Sequence, residues 1–315
     1  MRPSPPSVWP ELPTAAWRDT CATLQLFTQV IGKIRLARSP WLNHSWQVTL
    51  YVTSRGLSTS PIPDGNRSFE IEFDFIDHVL KVSTSDGQMR QFALAGHSVA
   101  SFYARVMKEL AELGIHIAID EIPNEIPDPI KFPEDTQHES YDADAVRRFF
   151  QILVNADRVF KQFRTSFLGK ASPVHFFWGS FDLAVTRFSG RTAPRHPGGV
   201  PHLPDDVACE AYSHEVSSAG FWPGGGAIDY PAFYSYAYPE PPGFRTAKVR
   251  PDAAFFSEAL GEFILPYDAV RTAADPDQAL LEFLQSSYEA AAISANWDRG
   301  ALECAPGQPG VVRKI

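Results

Sequence analysis

Five stretches of the chain repeat apolar residues every three or four positions, which is the spacing of one face of an α-helix. The predicted helices cover residues 14–34, 98–114, 142–168, 251–260 and 277–295. The first is expected to end near Gly32. Ser98 is placed to cap the second helix, and Gly114 to end it.

Other stretches alternate apolar and polar residues, as half-buried strands do. These predicted strands cover residues 46–53, 69–75, 79–83, 115–119, 172–191, 232–241 and 262–267. In the second, Glu70, Glu72 and Asp74 form an acidic face that we interpret as solvated. Read as one strand, residues 172–191 place His175 and Asp182 on opposite faces unless Gly179 forms a bulge.

The two halves of the chain share a series of short matches, in the same order. Residues 32–59 and 169–192 each carry Gly-Lys, Ser-Pro, His, Trp and Val-Thr followed closely by Arg. We therefore predict an α+β fold: an internally duplicated, pseudo-twofold domain of antiparallel sheets flanked by helices. The domain is predicted to span residues 9–303, with repeat halves 14–140 and 141–303 and flexible tails 1–8 and 304–315. A functional site is expected where the halves meet.

Composition narrows the classes of function. Aromatic residues make up 13% of the 315 residues, which favours an aromatic ligand pocket. A net charge of −9 argues against a nucleic-acid-binding protein. Prolines interrupt the start of the chain and no apolar run reaches membrane-spanning length, so we expect a cytoplasmic protein without membrane contact. Cys21, Cys209 and Cys304 lie far apart, which gives no disulfide or thiolate zinc pattern.

Histidine and glutamate supply the candidate catalytic groups. We assign acid–base roles to His175, His214 and Glu215, since such groups work at a pKa near the working pH. The alternative is a divalent metal site, zinc or iron, with His44, His175, His214 and Glu215 as ligands. The spacing is not diagnostic, because "HEVSS" lacks the second histidine of HExxH. A hydrogen-bonded core histidine is the plain alternative for His175.

Arginine and tryptophan supply the candidate binding groups. Arg187 and Arg191 could clamp an anionic ligand through their guanidinium groups, with Trp178 and Trp222 as pocket walls and Asp182 as a further contact. Surface pairing of the arginines, or an ion pair with Asp182, would explain the same residues without a ligand. The chain has no GxGxxG, Walker lysine loop or GxSxG motif.

Several long segments resemble a bacterial family of unknown function, DUF5996. They include "NHSWQVTLYVTSRGLSTSPIP", "SPVHFFWGSFDLAVTRFSGR", "EAYSHEVSSAGFWPG" and the late "WDR". The resemblance runs from about Trp9 to Glu303 and implies one family domain. It implies no activity, cofactor or catalytic residue.

The leading hypothesis is an enzyme that acts on a small, anionic organic molecule by His/Glu acid–base or metal-assisted chemistry. The alternative is a non-catalytic small-molecule binder or sensor that uses the same pocket. An interaction protein, marked by an exposed apolar patch without a deep pocket, is a third reading. Substrate, metal identity and oligomeric state are left open by the residues.

Overall fold

A computed structural model describes residues 9–225 and 228–313; the predicted tail 1–8, the end of the predicted tail 304–315 and residues 226–227 of the glycine-rich loop lie outside them. The elements of the first half are α1 (Thr14–Arg38), β1 (Tyr51–Val52), β2 (Gly56–Ser58), β3 (Ile62–Asp64), β4 (Arg67–Asp74), β5 (Val79–Thr84), β6 (Met89–Ala93) and α2 (Val99–Glu112). Those of the second half are α3 (Ala143–Arg164), β7 (His175–Phe177), β8 (Asp182–Thr192), α4 (Asp205–Ala211), β9 (His214–Trp222), β10 (Ala232–Tyr238), β11 (Phe255–Ser257), β12 (Glu262–Pro266), α5 (Tyr267–Arg271), α6 (Pro276–Ser294) and α7 (Arg299–Leu302).

The described strands form two antiparallel sheets, and with the helices they give an α+β fold, as predicted. The first sheet has the order β1-β2-β4-β5-β6, with β3 paired to β4. The second has the order β7-β8-β9-β10-β12-β11. Backbone hydrogen bonds between Leu50 and Phe176 link the two sheets. One continuous buried cluster contains apolar residues from both halves.

The long helices form where the apolar spacing predicts them. Ser98 caps α2 through the backbone N–H of Ser101, and Asp142 caps α3 through the N–H groups of Asp144 and Ala145. The first helix continues past its predicted end at Gly32 to Arg38. Gly32 is instead a packing position, because a Cβ there would overlap the indole of Trp178. The indole N–H donates to the carbonyl of Val48 at 2.8 Å.

Three predicted elements are missing from the structure in whole or in large part. The helix predicted at 251–260 is replaced by a turn and the short strand β11, and residues 115–119 form no strand. Of 46–53, only Tyr51–Val52 form a strand, because the chain turns again through residues 46–48 after a short 3₁₀ turn in which His44 and Ser45 have φ of 59° and 57°. The helices and strands of the two halves do not follow one another in the same order. Internal duplication stays a prediction.

The stretch 172–191 forms a hairpin, not the predicted single strand. The chain reverses between β7 and β8, with Phe181 in the left-handed region at φ 59°. In the hairpin register His175 pairs with Ala184, and Phe177 pairs with Asp182. Residues directly opposite in an antiparallel pair share a face, so His175 and Asp182 lie on the same side of the sheet.

Candidate functional site

A cavity of about 1010 Å³ lies against one face of the second sheet. Its walls come from α1, residues 123–130, the turn between β7 and β8, and α4. Its floor is formed by alternate residues of β8, β9 and β10. The floor has room above it because the side chains at its centre are small: Ala184, Thr186 and Ser218, with Gly220 between Ala184 and Tyr234 in the register. The residues between them, including Leu183 and Val185, face the buried core.

Asp182 is the most buried carboxyl on the floor, with an exposed fraction of 6%. Its two carboxylate oxygens accept hydrogen bonds from the hydroxyls of Ser180 and Tyr234. Tyr234 reaches it from β10 by lying across β9, and this path exists because position 220 is glycine: a Cβ there would overlap the phenol. Burial raises the pKa of Asp182.

Glu125 enters the cavity from the segment that joins the two halves. Its backbone has a φ of 62°, and its N–H donates to the carbonyl of Pro201 at 2.9 Å. The preceding residue, Asn124, exchanges two hydrogen bonds with the side-chain amide of Gln29 on α1, at 2.9 and 2.7 Å. The carboxyl lies against Gly179, where a Cβ would overlap its Oε1. Glu125 is thus positioned by tertiary contacts.

Glu262 completes a group of three carboxyls. It begins β12, two residues before Ile264, which pairs with Tyr234 and also lines the cavity. Burial, and then the charge of Asp182, raises the pKa of both Glu125 and Glu262 to about 7. Within residues 9–225 and 228–313, no Lys, Arg or His forms an ion pair with any of the three carboxyls. Arg18 also lines the cavity, but its guanidinium pairs with Asp229 at 2.6 Å.

A second cluster of polar side chains lies beside Phe188 of β8. His44 lines the cavity there, and its Nδ1 is 2.8 Å from the carbonyl of Ala211. Lys170 donates to His44 Nε2 at 2.7 Å and lies 5.1 and 4.7 Å from the ring centres of Trp46 and Phe188. Burial lowers the pKa of His44, so the imidazole is the neutral partner of the lysine ammonium.

The four residues predicted as metal ligands are only partly brought together. His44 and His214 have ring centres 6.1 Å apart. His175 lies beneath Trp46 and Tyr51, where burial and then Arg35 lower its pKa to about 3. Glu215, the next residue after His214, pairs with Arg191 at 2.7 Å. Among the described residues, no set of three or more His, Cys, Asp or Glu side chains is arranged to hold a metal ion.

The predicted catalytic group His175, His214 and Glu215 does not converge on the cavity. None of the three is part of its described lining. His214 and Glu215 are consecutive residues of β9 and therefore point to opposite sides of the sheet. His175 Nε2 lies 3.4 Å from the hydroxyl oxygen of Tyr51. This environment is that of a neutral core histidine.

The two arginines predicted to clamp an anion also lie away from the cavity. Arg187 faces away from the cavity, buried over the ring of Phe163 at 3.5 Å, and its Nη2 donates to Ser166 Oγ at 2.9 Å. Burial lowers its pKa to about 10. Arg191 pairs with Glu215 on the surface. The expectation of an anionic ligand therefore loses the guanidinium groups on which it was based.

The predicted wall residues do lie at the cavity. Trp178, Trp222 and Asp182 all line it. The sequence reasoning missed Glu125, Glu262 and Tyr234. The alternating tyrosines 234, 236 and 238 were the available signal for a polar face on β10. Glu125 had no such signal, because it lies in a proline-rich segment without the apolar spacing of a helix or a strand.

Fold and site together define an α+β protein with a large carboxyl-lined cavity against its second sheet. The particular family follows from comparison with known proteins: the model of the family of unknown function DUF5996 matches residues 9–304, and the chain belongs to this family. A search of curated proteins found no match, and neither did a search of solved structures. In the part of the chain that the structure describes, no helix has the length and apolar character needed to cross a membrane.

Proposed function

We propose that this protein is an enzyme that binds a small organic molecule with a cationic amine in the cavity and exchanges protons with it through the cavity carboxyls. One observation carries the proposal: Glu125 and Glu262, both with a pKa of about 7, lie in one cavity with the buried Asp182. Groups whose pKa lies near the working pH can both donate and accept protons.

The charge of the ligand follows from the partners of these carboxyls. Asp182 receives hydrogen bonds from two neutral hydroxyls, and no cation in the described chain offsets the charge of the three groups. A bound ammonium would supply that charge and would lower the pKa of Glu125 and Glu262. A bound carboxylate or phosphate would add repulsion in the same place.

The remaining lining suits an aromatic or apolar body. Trp222, Phe177 and Tyr234 line the cavity beside the carboxyls, and a cation over such rings gains further stabilisation. Planar ligands stack on these side chains, while the carboxyls fix the orientation of the amine. The volume is in the range of small-molecule sites in proteins.

Three probes that share the indole ring but differ in charge test this proposal by calorimetry at pH 7. They are the cation tryptamine, the neutral 3-ethylindole and the anion indole-3-propionate. We expect tryptamine to bind about tenfold or more tightly than 3-ethylindole, and indole-3-propionate to bind least, since opposite charges attract strongly away from water. Tryptamine binding should release protons, because the ammonium displaces them from the glutamates.

The variant Glu125→Gln with Glu262→Gln is expected to reduce tryptamine affinity toward that of 3-ethylindole and to remove the proton release that comes from the two glutamates. Glu139→Gln, an exposed glutamate outside the described cavity lining, is the matched control. Equal affinity for the three probes would overturn the cationic preference. No binding of any probe would count against the cavity as a ligand site.

A further inference from the structure

We infer that His138 is the base of this cavity, held in its reactive tautomer by Asp135, and that the ligand loses a proton from a hydroxyl or an activated C–H group to its Nε2. This assignment rests on the proposed function, because a base in the cavity needs an occupant. It adds a proton acceptor that is distinct from the three carboxyls. Both Asp135 and His138 line the cavity.

Asp135 is fixed in place by its surroundings. The residue is 1% exposed. Its Oδ1 accepts the backbone N–H groups of Gln137 and His138, both at 3.1 Å. Its backbone carbonyl accepts the N–H of Ala100 at 2.8 Å, which ties it to the first turn of α2. Oδ1 is thus taken by the two backbone donors, and Oδ2 faces the imidazole of His138.

The imidazole of His138 is oriented by that carboxylate. Its Nδ1 is 2.7 Å from Asp135 Oδ2, so Nδ1 carries the proton and donates it to the carboxylate. The lone pair is then on Nε2, for which the described residues provide no hydrogen-bond partner. The side chain is 37% exposed, and the residue is part of the cavity lining. An aspartate behind a histidine holds the tautomer and stabilises the imidazolium that forms on proton uptake.

The two kinds of group have complementary roles. A glutamate with a pKa of about 7 is partly protonated at neutral pH and can give a proton to the ligand. His138 removes a proton at another atom of the same ligand. A cavity with both a donor and an acceptor can move a proton from one ligand atom to another.

The test uses 5-nitrobenzisoxazole, a planar aromatic probe that reports base strength in cavities. The base takes the proton from C3, the C–H electron pair forms the nitrile, the N–O bond breaks, and the oxygen leaves as a coloured phenolate. We expect His138→Gln to reduce the rate about 100-fold, in the range typical of a lost general base. His97→Gln, a half-buried histidine outside the described cavity lining, is expected to leave the rate unchanged.

Asp135→Asn separates positioning from folding. The asparagine amide would donate to Nδ1 and move the proton to Nε2, so we expect a rate loss at every pH without a comparable loss in melting temperature. In His138→Ala, added imidazole is expected to restore the elimination, which a purely structural role would not allow.

Three outcomes decide between the assignments. A rate that falls in His138→Gln and recovers with imidazole in His138→Ala supports the inference. A rate unchanged in His138→Gln but lost in Glu125→Gln overturns it and leaves the carboxyl chemistry intact. A rate no higher than that of buffer, in wild type and every variant, contradicts both the base and the proposed function.

Discussion

At pH 8 the double variant Glu125→Gln with Glu262→Gln is expected to be more stable than the wild type, by about 2 kcal/mol. Each glutamate has its pKa raised from 4.5 to about 7 by burial and by Asp182. Such a shift sets an upper bound of roughly 3 kcal/mol for one carboxyl. Glutamine keeps the shape of the side chain and removes the charge that folding must desolvate.

The direction of the pH dependence follows from which state binds more protons. Between pH 4.5 and 7 the folded wild type keeps protons on the two glutamates that the unfolded chain has released. The stability that these groups contribute is therefore complete below pH 4.5 and is lost as the pH rises through 7. The double variant does not lose stability in this way. The excess of its free energy of unfolding over that of the wild type should therefore grow from pH 4.5 to pH 8.

Urea unfolding at pH 4.5, 6 and 8 measures this difference directly. Glu139→Gln controls for the loss of a glutamate charge at an exposed position. Wild-type stability that stays constant between pH 5 and 8 relative to the double variant would show that the cavity carboxyls are solvated and ionise normally. Proteins often retain such destabilising groups at functional sites, because activity requires them.

Gly32→Ala is expected to destabilise the protein by about 2 kcal/mol or more, the usual range for overpacking. Helix propensity alone predicts the opposite sign, since alanine is better than glycine inside a helix by about 1 kcal/mol. The packing effect prevails because the new Cβ would overlap the indole of Trp178, which is 6% exposed and hydrogen-bonded to Val48. Trp178 lines the cavity, so the change should also weaken probe binding.

Thermal and urea unfolding of Gly32→Ala, Trp178→Leu and the double variant separate this contact from general effects. Leucine is smaller than tryptophan and removes the overlap. The variant that combines Gly32→Ala with Trp178→Leu should therefore lose less stability than the sum of the two single changes. If Gly32→Ala were more stable than the wild type, helix propensity would outweigh the overlap and the indole of Trp178 would have room to move.

The helices of this fold were accessible to sequence reasoning because their signals are local. The apolar spacing of α1, α3 and α6 is present within each segment, and Asp142 has the residue type of a helix cap. Gly32 was misread as an end signal, since only the tertiary contact with Trp178 gives it a different purpose.

The site was less accessible because its geometry is set between distant segments. The reversal at Phe181 places His175 and Asp182 on one face, and a phenylalanine with positive φ has no sequence signature. Glu125 depends on Gln29, almost a hundred residues earlier. Arg187 and Asp182 alternate in face along one strand, and the packing of the hairpin determines which of them faces the core and which the cavity.

An NMR titration of the glutamate side-chain carboxyl carbons in wild type, Glu125→Gln and Glu262→Gln tests the role of the cavity carboxyls most directly. We expect two carboxyl resonances that titrate near pH 7, each missing from one variant, and both titrations should move to lower pH in the presence of saturating tryptamine. Titration of both groups near 4.5, unchanged by tryptamine, would contradict the proposal that these carboxyls hold a cationic ligand and exchange protons with it.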